Sequence, residues 1–153
     1  MTTPQIETEI LIDAPVEKVW QVVTQADHLG TWFADDGAEI DLRVGGTLTL
    51  RWREHGTYRA RIDVVEPNRC FAFRWTTSPD TEIAPGNHTR VELTLTPQGD
   101  GTRLSVVESG FDTLARSEAD QLAARQENVE GWAHELGELR DHLARIGGAT
   151  GTA

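Results

Sequence analysis

Glu108 is the side chain of this sequence best placed to do chemistry. It continues the every-second-residue alternation of Leu104 and Val106, so its carboxyl is expected to point with them toward the interior. A carboxyl in apolar surroundings is suited to general acid or base work, and beside a cation it can anchor a polar group of a ligand. The candidate cation is Arg125, between Leu122 and Trp132 on the apolar seam of a C-terminal helix. A buried charge is costly unless paired or hydrogen-bonded, so the two are expected to meet, directly or through water. For either residue the alternative is a rim position that reaches solvent. One carboxyl with no visible catalytic partner is thin support for an enzyme, so Glu108 is a weak catalytic candidate.

Other reactive signatures are missing. There is no glycine-rich phosphate loop, no HExxH, no G-x-S-x-G and no cysteine and histidine cluster, so neither cofactor nor metal is expected. His134 and His142 stand eight apart on one helix and do not share a metal-binding face, while His28, His55 and His88 read as surface residues. Cys70 has the outward phase of Ala72 and Arg74 and reads as a small strand residue. As the single cysteine it excludes an internal disulfide, in agreement with a reducing compartment.

The elements that must position Glu108 follow from periodicity. Ile6, Ile10 and Ile12 mark a first strand, Pro15 opens a helix whose inner face is Val16, Val19, Trp20 and Val23, and Asp27 opens a second short helix ending near Trp32 and Phe33. A strand around Ala38 to Leu42 follows. Alternation then gives Leu48, Leu50 and Trp52; Tyr58, Ala60, Ile62 and Val64; Phe71, Phe73 and Trp75; Val91, Leu93 and Leu95; and Leu104, Val106 and Glu108. A helix from about Glu118 to Ile146 carries Leu122, Val129, Trp132, Leu136, Leu139, Leu143 and Ile146 on one stripe. Ser117 and Asp120 resemble a capping box at its start. The order β, α, α, six β, α predicts an α+β fold in which a curved seven-stranded antiparallel sheet grips the last helix. Residues 1–146 form one domain of this kind, and residues 147–153 read as a flexible tail.

Charge narrows the partners. A formal net charge of -11 over 153 residues argues against nucleic acid, which needs cationic groups to displace counterions. Glu118, Asp120, Glu127, Glu130, Glu135, Glu138 and Asp141 read as the solvated face of the last helix. Arg51, Arg53, Arg59, Arg61, Arg74, Arg90 and Arg103 share the outward phase of the sheet, with Asp63 and Glu92 as cross-strand partners. That face is either a docking surface for an acidic partner or simply a solvated sheet surface. No segment has the run of apolar residues needed to span a bilayer and no secretory signal is visible, so a cytoplasmic protein is expected.

Several segments in this order carry a resemblance: Ile12-Asp13-Ala14-Pro15-Val16-Glu17-Lys18-Val19-Trp20, Thr31-Trp32-Phe33, Gly45-Gly46, Val65-Glu66-Pro67 leading to Phe73-Arg74-Trp75, Gly101-Thr102-Arg103-Leu104, Glu108-Ser109-Gly110-Phe111 and Gly131-Trp132. From about Ile6 to Leu143 the chain resembles the SRPBCC superfamily, of START-like helix-grip fold, and within it the branch named after the activators of the heat-shock-chaperone ATPase. The resemblance implies a deep cavity between sheet and C-terminal helix, used across the superfamily for lipids, polyketides, hormones and other apolar molecules. Some members are cyclases or dehydratases and some bind a protein. It implies no shared catalytic set.

The expected function is therefore binding of an apolar or aromatic small molecule. Candidate ligand-binding residues are Trp32, Phe33, Trp52, Tyr58, Phe71, Phe73, Trp75, Trp132 and Leu136, with Glu108 and Arg125 as polar anchors. The alternatives are that these side chains fill the core, that Glu108 serves a cyclase, dehydratase or hydrolase, or that the arginine face is a co-chaperone-like interaction surface. The sequence is equally compatible with a monomer and a homodimer.

Overall fold

The computed structural model describes residues 5–151, with side chains through Ile146. Its elements run β1 (Ile6–Ile12), α1 (Val16–Thr24), α2 (Ala26–Trp32), β2 (Ala38–Ile40), β3 (Thr47–Trp52), β4 (Gly56–Glu66), β5 (Cys70–Thr76), β6 (His88–Gln98), β7 (Gly101–Ser109), a 3-10 turn at Phe111–Thr113, and α3 (Glu118–Gly151). The seven strands form one curved antiparallel sheet in the order β1-β7-β6-β5-β4-β3-β2. The predicted α+β helix-grip architecture is thus present. β2 is three residues rather than the expected five, and the helical backbone of α3 continues past Ile146 to Gly151. Residues 152 and 153 of the expected tail lie outside the described residues.

Alternation builds the core. In β6 and β7 every second residue is buried through most of the strand, and Val91, Leu93 and Leu95 oppose Glu108, Val106 and Leu104 across the ladder. The pattern slips once. β4 bulges between Ile62 and Val64, so Val64 pairs with Ala72 and Val65 takes the inward place opposite Phe71. The inward position expected for Val64 therefore belongs to Val65, which packs against the core. On the outer face Asp63 accepts from Arg74 and Arg90 at 2.9 and 3.1 Å, and Glu92 pairs with Arg90 at 3.0 Å. Arg51 pairs with Glu39, and Arg59 lies 3.5 Å from Glu82. Four acids on or beside this surface thus answer its arginines; Arg53 stands in the β3–β4 turn rather than on the ladder.

On α3 the buried residues are Ala124, Trp132, Leu136, Leu139, His142 and Leu143. Leu122, placed on the stripe by sequence, is 45% exposed, whereas Ala124 is 8% exposed. At about 100° per residue, Ala124 and Leu122 flank the direction of Trp132 by about 80° on opposite sides, and the flank of Ala124, shared by His142, is the buried one. Asp120 N–H donates to the Ser117 hydroxyl at 3.1 Å, which caps the helix. α3 packs on α2, β1 and the 3-10 turn, so it crosses the sheet with a gap toward β3, β4 and the end of β5.

Candidate functional site

Glu108 is fully buried (0% exposed) and surrounded by donors. Its Oε1 accepts from Trp132 Nε1 at 2.9 Å and from Asn128 Nδ2 at 3.1 Å. Its Oε2 accepts from Trp75 Nε1 at 2.9 Å, Thr89 Oγ1 at 2.5 Å and Asn128 Nδ2 at 2.9 Å. This donor set suits an acceptor-only carboxylate, and hydrogen bonds to a charged acceptor are the stronger kind. The ladders deliver it: Trp75 opposes Thr89, and Glu108 follows on β7 opposite Val91. Asn128 and Trp132 stand one turn apart on α3 and reach down together. Gly110 then turns the chain away at a φ of 96°, a conformation that favours glycine, and seats the buried Phe111.

The expected Glu108–Arg125 pairing does not form. Arg125 sits one position past the seam residue Ala124, and its guanidinium reaches the main-chain oxygen of Gln5 at 3.5 Å. Asn128 takes the place assigned to it.

Beyond the two indoles lies a cavity of about 680 Å³ between α3, the chain after α2, the β3–β4 turn and the end of β5. Trp32, Phe33, Trp52, Tyr58, Trp75 and Trp132 all line it. Phe33 stacks near-parallel with Trp32, Trp75 and Trp132 at centroid distances of 4.8, 6.0 and 5.7 Å, and Trp52 meets it edge-on at 5.1 Å. Trp32 is fixed from behind, donating its indole N–H to the Val22 carbonyl at 2.8 Å. Of the other candidates, Phe71, Phe73 and Leu136 are buried core and do not line the cavity. Alternation and helical phase identify an inward side chain but not whether it meets a void or another side chain. Glu108 is likewise outside the cavity, behind the wall that its hydrogen bonds hold in place.

The charged lining went unseen in the sequence. Glu127, Glu130, Glu135 and Glu138, assigned there to the solvated helix face, line the cavity together with Asp35 and Glu54. Arg116 also lines it, donating to the hydroxyls of Thr77 and Ser78 at 3.1 and 3.3 Å. The Glu135 side chain is only 15% exposed. Its Oε2 is buried with no hydrogen-bond partner among the described residues. Burial, with Glu138 and Asp35 nearby, pushes its carboxyl up to about 8. His134 Nε2 lies 3.8 Å from its other oxygen.

Two further groups differ from the sequence reading. His28 and His142, neither expected to meet a partner, form a 2.9 Å Nδ1 to Nε2 hydrogen bond between α2 and α3. Burial lowers both imidazoles below their ordinary value. Cys70 keeps the outward phase it shares with Ala72 but is buried there, and burial pushes its thiol up, away from nucleophilic use. Among the described residues no group of three or more His, Cys, Asp or Glu side chains is arranged to hold a metal ion. No helix there is long and apolar enough to cross a membrane.

A curved antiparallel sheet around a long C-terminal helix, with an aromatic cavity between them, defines a helix-grip protein. The chain belongs to the family described as Activator of Hsp90 ATPase homolog 1-like protein, which matches residues 13–144. Among solved structures, protein MLL2253 from Mesorhizobium loti is 25% identical with a TM-score of 0.77, over 93% of this chain and 98% of that one. CalU16 from Micromonospora echinospora is 26% identical, TM-score 0.67, over 94% and 79%. The Aha1 dimer from Colwellia psychrerythraea, at 21% identity and TM-score 0.69 over 92% and 96%, shares the fold. No curated protein matches.

Proposed function

We propose that the protein binds an apolar or aromatic small molecule in the cavity under α3. The observation that carries this reading is the convergence of six aromatic side chains from four separate parts of the chain on one space of about 680 Å³. That volume lies within the roughly 300–1,000 Å³ of small-molecule sites, and an aromatic lining with a few polar groups is their usual form. Membership of the helix-grip family supports it at the level of the fold. Catalysis through Glu108 has less support, because both of its oxygens are already occupied and it does not border the cavity.

Gly131 supplies the test. It lines the cavity, and a Cβ built there meets nothing within 4 Å, so its place on α3 is not a close approach to the sheet. Gly131→Leu fills the space while replacing a helix glycine, a change that favours the fold by about 0.5–1 kcal/mol. The neutral dye N-phenyl-1-naphthylamine should brighten on binding the native protein, and Gly131→Leu should weaken that binding about tenfold or more at an equal or higher melting temperature. Equal dye binding by both proteins would remove the cavity as the site.

A further inference from the structure

The geometry points to an organic cation, an aryl- or alkylammonium, as the class of ligand this cavity selects over neutral and anionic molecules of the same shape. The inference rests on the reading of the cavity as a ligand site and adds what its walls discriminate.

Among the described residues six carboxyl groups line the cavity against one guanidinium, and that guanidinium is engaged with Thr77 and Ser78. An acidic helix face alone would be ordinary solvated surface, and Glu127 and Glu130 are exposed enough to serve as that. Glu135 is not. It stands three residues after Trp132, so its carboxyl and that indole are neighbours on one helix face, with the open position of Gly131 one turn before it. Its Oε2 is withdrawn from solvent yet lacks a partner, a condition that buried polar atoms rarely keep. Turned about the bond to its carboxyl carbon, the group would present that oxygen to the cavity, where a ligand N–H would satisfy it. The same ammonium would lie among indole rings, whose π faces attract cations, Trp being the best of the aromatic residues for this. An alcohol gains the hydrogen bond without the charge terms, and a carboxylate meets Asp35, Glu54 and Glu138 as like charges.

A proton count separates this from mere apolar binding. Glu135 is faced by Glu138 and His134 on α3 and by Asp35 after α2. Glu54 and His55 in the β3–β4 turn and Arg116 before α3 complete the charged lining. Near neutral pH its carboxyl holds a proton for most of the time, and a cation beside it favours the ionised form, so cation uptake expels that proton.

The test is isothermal titration at about pH 7 in two buffers of different ionisation heat, using 3-phenylpropylammonium, 3-phenylpropanol and 3-phenylpropionate. The cation should bind about tenfold or more tighter than the alcohol, with the propionate weakest, and only the cation should release a fraction of a proton. Glu135→Gln, an isosteric change checked by its melting curve, should bring the cation-to-alcohol ratio below about threefold and abolish proton release; Asp35→Asn should lower the ratio less. An alcohol bound as tightly as the ammonium, or a ratio unchanged in Glu135→Gln, overturns the inference. If all three probes fail while the naphthylamine dye binds, cation selection falls and the cavity reading stands; if the dye fails too, both fall.

Discussion

Trp75 on β5 and Trp132 on α3 donate their indole N–H groups to opposite oxygens of one carboxylate, that of Glu108, and their rings stack with centroids 5.8 Å apart at 29°. The two rings are therefore fixed at both ends, by the carboxyl acceptor behind them and by each other and Phe33 in front. A cavity wall made of indoles would otherwise be free to collapse into the space it borders. Glu108 acts here as a positioning residue: it joins helix to sheet and keeps the wall upright.

Replacing one of its oxygens by an amide N–H₂ sets donor against donor. Glu108→Gln should cost about 2–4 kcal/mol, since a buried group left without its partner loses about 1–3 kcal/mol and more than one donor is affected. Denaturant melts measure this. In a double-mutant cycle with Trp132→Phe the coupling should exceed about 1 kcal/mol, as for residues sharing one network. Additive losses would mean that the indole N–H contributes nothing to holding α3.

Much of this arrangement can be read from the sequence, and the failures have physical causes. The strands are legible because apolar and polar residues alternate, and they remain so until the bulge beyond Ile62 exchanges Val64 for Val65. The inward direction of Glu108 is likewise plain from Leu104 and Val106. Its partners are not. Trp75 and Trp132 count as apolar in any pattern, yet it is their N–H groups that satisfy the carboxylate, and Asn128 is a polar residue at a seam position where patterning looks for apolar ones. The signal was present in its spacing, four residues before Trp132. Nothing in the pattern distinguishes Phe73, which meets core, from Trp75 two residues later, which meets the cavity.

The His28–His142 contact makes the α2–α3 junction sensitive to acid. Both imidazoles titrate below their ordinary value of 6.5 because burial penalises the charged form, with Lys18 adding to both and Arg145 to His142. In the unfolded chain they protonate first, so below about pH 6.5 the unfolded state binds more protons and the fold loses stability as pH falls. Replacing His142 by Gln removes one titrating group. Relative to native protein, the variant should lose less stability between about pH 7.5 and 5.5 in urea melts, whatever its starting value. Parallel curves would show that the pair does not report pH.

Glu135 acts in the opposite sense. Its folded-state value of about 8 lies above the ordinary 4.5, so the folded protein keeps this proton while the unfolded chain has lost it. The stability linked to it is fully present below about pH 4.5 and is lost as pH rises through about 8. In native protein this slope runs against that of the histidines and hides part of it, so each is best read from its own variant. Glu135→Gln carries no titrating group. It should match native protein at about pH 5 and exceed it by about 2–3 kcal/mol near pH 8.5, a shift of several pKa units being worth about 1.4 kcal/mol per unit before relaxation. Urea melts at the two pH values give the number, and a variant no more stable than native protein at the higher one would mean that Glu135 is solvated. The substitution that stabilises the fold at the higher pH is then also the one that removes cation selection, which would make the strain at Glu135 a cost of the binding site.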